Sequence, residues 1–169
     1  GLRWVREGFG EFLHRPLGYI LLFVLFMVAA LFVSLLPVVG AVLLMMGVPL
    51  LSLAYMMAMH DAAHGQAPHP RVFLQPWQGV PAARRRALLV LCLAYAALTA
   101  LVMAASDLID GGRFDALLMA AAGPDANADE LQKLADAPGV LQGVVARSAL
   151  TLLLSIPFWH APALVLWGQ

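Results

Sequence analysis

His60 and His64 stand four residues apart in the run His60-Asp61-Ala62-Ala63-His64, and His69 follows five residues later. On a continuous helix an i,i+4 pair shares one face, as two zinc ligands do, and His69 is the candidate third ligand. The metalloprotease form of this pattern places a glutamate directly after the first histidine as general base, and the shorter Asp61 stands there instead. The competing reading is a set of interfacial histidines that titrate near neutral pH and hold no metal. That reading is preferred, and no cofactor is expected.

His160 is the second candidate, within Pro157-Phe158-Trp159-His160-Ala161-Pro162. Each proline removes a helical donor, leaving the carbonyls near residues 153 and 158 without their usual partners. An imidazole N–H could satisfy one of them, which makes His160 a structural histidine at a kink. The alternative is a cofactor ligand or proton-handling group in a polar pocket, because an ionisable side chain at membrane depth usually faces a partner or a cavity. Arg84-Arg85-Arg86 is the third feature, placed to meet anionic lipid headgroups.

Other patterns carry less. Asp125-x-Asn127-x-Asp129 with Asp136 at the twelfth position imitates a calcium loop, but Glu130 occupies the position that needs glycine and Lys133 the ninth. Asn127 with Glu130 three residues on fits a helix cap better. No glycine-rich phosphate loop, motif-positioned Ser/His/Asp set or paired intramembrane carboxylates occur. No motif identifies a reaction, and the chain is read as non-catalytic.

The elements that must position these residues are membrane helices. From Pro16 to Met59 there is no charged residue. That run is about twice as long as one helix needs to cross a hydrocarbon core of about 30 Å. The chain must enter lipid and return, with a break near Pro37 and Gly40. Hydrophobic residues make up 62% of the 169 and charged residues 12%, against about 45–50% and 25% in soluble domains. The expected fold is all-α and polytopic, a single membrane domain with four spans at 17–36, 38–59, 87–106 and 148–167. A re-entrant pair is the alternative for 16–59, with Gly47 and Pro49 interrupting the second span. Residues 2–15 read as an interfacial amphipathic helix, with Leu2, Val5, Phe9, Phe12 and Leu13 on one face. Ala54 and Ala58, and Ala96, Ala100 and Ala104, recur at the four-residue spacing that lets helices pack closely in lipid.

Charge orients the spans. Arg3, Arg6, Arg15, Arg71 and Arg84–Arg86 lie in the N-terminal segment and the 60–86 loop, opposed by Glu7, Glu11 and Asp61. Segment 107–147 is acidic, with seven carboxylates against Arg113, Lys133 and Arg147. Positive residues favour the cytoplasmic side, so both termini and the 60–86 loop are expected there and 107–147 in the periplasm. Within the loop, Phe73, Leu74 and Trp77 are expected to rest on the interface. A net charge of zero suggests no nucleic-acid partner. Cys92, the single cysteine, lies in an apolar block and cannot form an internal disulfide.

Three stretches carry a resemblance: Trp4-Val5-Arg6-Glu7-Gly8-Phe9 leading to Arg15-Pro16-Leu17-Gly18, the loop Pro68-His69-Pro70 with Pro76, and Ser155 to Leu164. Together they resemble a family of multi-pass inner-membrane proteins of proteobacteria with no assigned activity. The likeness covers essentially the whole chain, and its last stretch is the most specific. Members look longer, with further spans past the position matching Gln169. That agrees with a chain that starts without methionine and stops directly after an apolar block, so truncation at the C-terminus is expected. More distantly, the interfacial helix with its Arg-Pro entry is similar to membrane domains attached to glycerophosphodiesterases. The resemblance implies location and brings no mechanism.

The expected role is a non-catalytic accessory or structural subunit of a larger membrane assembly, with lipids and other membrane subunits or further copies of itself as partners. A transporter or lipid-handling protein with a site at the Pro157–Pro162 break is the second reading. A metal-dependent membrane enzyme using His60, His64 and His160 is the third.

Overall fold

The computed structural model describes residues 10, 13–123 and 127–168. The interfacial helix expected over 2–15 falls, apart from residues 10 and 13–15, outside the described residues. Six α-helices follow: α1 (Pro16–Ser34), α2 (Val39–Ala63), α3 (Ala82–Asp110), α4 (Arg113–Ala122), α5 (Ala128–Ala135) and α6 (Val140–Trp167). Two 3₁₀ turns, Pro70–Phe73 and Gln75–Trp77, join α2 to α3. Helices α1, α2, α3 and α6 are long and apolar enough to cross a membrane. The chain groups into two compact units, Gly1–Ala96 with Phe158–Gln169, and Ala97–Pro157.

The first unit opens with Pro16 in the first turn of α1, where its missing N–H costs nothing. The α1–α2 link is as tight as Pro37 and Gly40 implied. A Cβ on Gly40 would collide with the Val33 carbonyl oxygen, so only glycine lets the two helices close there. Val38 takes φ 59° in the turn, a left-handed value that β-branched residues rarely adopt. At 19 and 25 residues, α1 and α2 rise about 28 and 37 Å, long enough for two full spans despite Pro49.

Tyr19 and Leu22 of α1 pack with Leu53, Ala54, Met57 and Ala58 of α2 and Leu88 of α3. The Tyr55 hydroxyl donates to the Tyr19 carbonyl at 3.2 Å. Ala54 and Ala58 are fully buried, in keeping with their spacing, whereas on α3 only Ala96 is buried and Ala100 and Ala104 are exposed. The buried face of α3 runs through Leu88, Cys92 and Tyr95 in this unit and through Ser106 and Asp110 in the other.

The loop after α2 does not merely rest at an interface. Val72 is completely buried in the same core, Phe73 and Trp77 pack against it, and Pro68 abuts the bare Cα of Gly18.

In the second unit, α3 runs past the expected span end to Asp110 and turns through Gly111 and Gly112, both at positive φ. Helices α4 and α5 form near 113–122 and 128–137 as expected, and the Asn127 side chain caps α5 by accepting from the Asp129 N–H at 3.0 Å. Helix α6 begins at Val140, eight residues before the expected span, just after Gly139 at φ 99°.

Candidate functional site

Helix α2 continues through the histidine motif and ends at Ala63, with His64 as its C-cap residue. The i,i+4 relation therefore holds, and the His60 and His64 rings lie 4.5 Å apart between centroids. Their hydrogen bonds fit a packed helix end. His64 Nδ1–H donates to the His60 carbonyl at 2.8 Å, satisfying one of the last carbonyls of α2. His60 stacks on Trp167 at 5.8 Å. Asp61 Oδ1 is 3.8 Å from His60 Nδ1. His69 does not complete a set: it caps the first 3₁₀ turn, its Nδ1 accepting from the Arg71 N–H at 3.2 Å. Among the described residues, no three of His, Cys, Asp and Glu are grouped to hold a metal ion.

The same end of this unit gathers the arginines. Arg84 Nη1 donates to the Leu166 carbonyl at 3.0 Å, complementing the negative end of α6. Arg15 Nη2 donates to the Gly65 carbonyl at 3.1 Å just beyond α2. All three arginines are exposed, and Arg84 caps a helix. Helix α3 starts at Ala82, so all three arginines lie on its first turns.

His160 is not where the sequence suggested. It is exposed and makes no hydrogen bond among the described residues. Helix α6 carries Pro157 and Pro162 without a break in its helical course. Its inward positions are Phe158, buried Pro162, Val165 and Leu166, and the 3.6-residue period turns His160 and Leu164 to the opposite face. The carbonyl that a side chain does reach is that of Trp159, which accepts from Ser52 Oγ of α2 at 3.1 Å. Phe158 meets Tyr95 edge-on with centroids 5.1 Å apart.

The second unit holds a polar cluster that motif reading missed. Asp110 is 1% exposed. Its Oδ1 accepts from the Gly112 N–H at 2.8 Å and its Oδ2 from the Phe114 N–H at 3.0 Å, so it closes the α3–α4 turn and caps α4. Gly143 of α6 lies so close that an added Cβ would run into the Asp110 carboxylate. Ser106, also buried, donates to the Gly143 carbonyl at 3.2 Å. Arg147 bridges two acids: Nη1 meets Asp115 Oδ1 at 2.5 Å and Nη2 meets Asp107 Oδ1 at 2.8 Å, with the guanidinium 5.0 Å above the Phe114 ring. Arg113 Nη1 donates to the Pro138 carbonyl at 2.5 Å. The sequence did contain a signal for this cluster. Arg147 is an isolated cation at the head of an apolar block, and Asp107 and Asp110 close another block at i,i+3. Every carboxylate and cation in the cluster has a partner within it, so its chemistry is that of a clamp between α3, α4 and α6.

No family model matches the chain, and no solved structure matches it. The chain is similar to a probable inner membrane protein of Burkholderia thailandensis, at 29% identity over 167 residues. The match covers 99% of this chain and 60% of that protein, so the chain spans less than two thirds of the relative's length. The resemblance carried by the three quoted stretches thus finds a counterpart among inner-membrane proteins. Four long apolar helices and this likeness together make the chain a multi-pass protein of the inner membrane.

Proposed function

We propose that the protein is a non-catalytic accessory subunit of a larger inner-membrane assembly, with α6 as the helix that meets its neighbour. One observation carries this reading: the outward face of α6 presents an ionisable side chain among apolar ones. His160 is exposed between Trp159 and Leu164, which are 62% and 68% exposed. It lies seven residues, about 10 Å, before Trp167 along the helix. At that depth an imidazole facing acyl chains is costly and calls for a protein partner. A neighbouring membrane helix with a polar side chain would satisfy the imidazole. The positive-inside bias favours a cytoplasmic position for the end carrying His60, Arg84 and Trp167.

The test is a photo-crosslinking amino acid placed at His160, and separately at Val24 on the exposed side of α1, in intact membranes. A discrete protein adduct from position 160 and none from position 24 is the expected outcome. Lipid adducts alone from both positions, with the protein extracting as a single chain in mild detergent, would remove the subunit reading.

A further inference from the structure

A groove of about 590 Å³ runs along the first unit between α1 and the first 3₁₀ turn. One wall is Leu25, Phe26 and Ala29 of α1, and the other is built by Phe73 and Leu74. The groove is open, and Leu25 and Leu74 on its two walls are 41% and 57% exposed. Ala29 lies thirteen residues beyond Pro16, about 20 Å along the α1 axis. The loop that forms the second wall is anchored at Gly18 by Pro68 and at the core by Val72.

Two polar groups line this otherwise apolar groove, His69 and Arg71. The Arg71 guanidinium has no ion pair and no hydrogen bond among the described residues, and no acidic residue lines the groove. His69 is set in one tautomer by its own turn. Because Nδ1 accepts from the Arg71 backbone N–H, the neutral ring carries its proton on Nε2, free to donate. An unpaired guanidinium beside an acyl-sized apolar channel is a poor arrangement in hydrocarbon. It becomes a good one when an anionic oxygen arrives on the end of an acyl chain.

We propose that this groove is a specific site for one anionic phospholipid. Its phosphate rests on Arg71 and the His69 Nε2–H, and one acyl chain lies along Leu25, Phe26 and Ala29 under Leu74. Charge decides the class. Arginine and histidine supply donors only, and the groove offers no carboxylate to receive the ammonium of a zwitterionic headgroup. Arg71 is suited to a phosphate because its planar fork binds two oxygens at once. The site differs from the exposed Arg85 and Arg86, which any anionic surface can attract without a groove. It also differs from the outward face of α6, so the two proposals stand or fall separately.

The experiment is native mass spectrometry of the full chain purified in mild detergent and titrated with phosphatidylglycerol or phosphatidylethanolamine. Wild-type protein should retain one phosphatidylglycerol at least tenfold more tightly than phosphatidylethanolamine. Arg71→Gln should abolish that preference, whereas the double change Arg85→Gln with Arg86→Gln should leave it within twofold. Arg71 is exposed, so the thermal midpoint of lipid-free Arg71→Gln should equal that of wild type. Ala29→Phe, which narrows the channel and keeps the charge, should weaken retention at least fivefold. Equal retention of the two lipids by wild type, or unchanged preference in Arg71→Gln, would overturn the assignment. So would a photo-crosslinker at Leu74 that captures a second copy of the chain or another protein in place of lipid.

Discussion

Arg147→Met is expected to destabilise the protein by about 2 kcal/mol, because it removes charge-assisted hydrogen bonds from a buried guanidinium to two partly exposed carboxylates. The magnitude follows from where the charges are left. Arg147 is 13% exposed at its side chain and holds both Asp107 and Asp115. Without it, two carboxylates stay near each other beside the Phe114 ring with no cation between them. Arg147→Lys should recover less than half, because an ammonium cannot bind two acids through separate nitrogens of a planar fork. Thermal unfolding in detergent of the single variants and of Arg147→Met with Asp115→Asn checks the idea. The double variant should lose less than the sum of its parts. Strict additivity would mean that the pair does not couple.

Gly143→Ala is expected to be the other severe change, and its sign is unusual. An alanine inside a helix ordinarily stabilises by about 1 kcal/mol relative to glycine. Here the added methyl points into the Asp110 carboxylate, which two backbone N–H groups hold in place. Either the carboxylate leaves those donors unsatisfied, at about 1–3 kcal/mol each, or α6 moves off α3. A net loss of about 3 kcal/mol is expected. Asp110→Ala alone should also destabilise by removing the cap, by about 1 kcal/mol or more. In that background Gly143→Ala should cost distinctly less, because the carboxylate has gone and only the Cβ of residue 110, 2.8 Å from the added methyl, still crowds it. An equal penalty in both backgrounds, read from thermal midpoints, would show that the carboxylate is not what excludes the methyl group.

Much of the architecture was legible because lipid imposes simple rules. An uncharged run from Pro16 to Met59 is too long for one helix, and Pro37 with Gly40 marks the turn between α1 and α2. Span ends were less legible. Charged and polar residues at 60–63, 82–86, 107–110 and 140–147 look like loop from hydropathy alone, yet all continue the flanking helices. They can do so because helix ends at a membrane boundary satisfy charges through caps and neighbouring helices, as Arg84 does at Leu166.

The candidate sites show the same division. The His60–His64 pairing followed from an i,i+4 spacing on a continuous helix. The orientation of His160 did not, because expecting a kink at two prolines hid the fact that the unbroken helix turns residue 160 outward. The Arg147 cluster was invisible to motif reading because its members come from three helices and share no local pattern. Nor could hydropathy show that the 68–77 loop lies along α1, since that depends on Gly18 leaving room for Pro68.

Cysteine accessibility tests the four-span arrangement most directly. With Cys92 replaced by alanine, single cysteines at Gln78 and at Asp129 can be probed with a membrane-impermeant maleimide in intact and in lysed cells. Four crossings with the arginine-rich end inside lead to labelling of position 129 in intact cells whose outer membrane has been made permeable, and of position 78 only after lysis. Labelling of both positions under the same condition would contradict the arrangement, because α3 would then not cross.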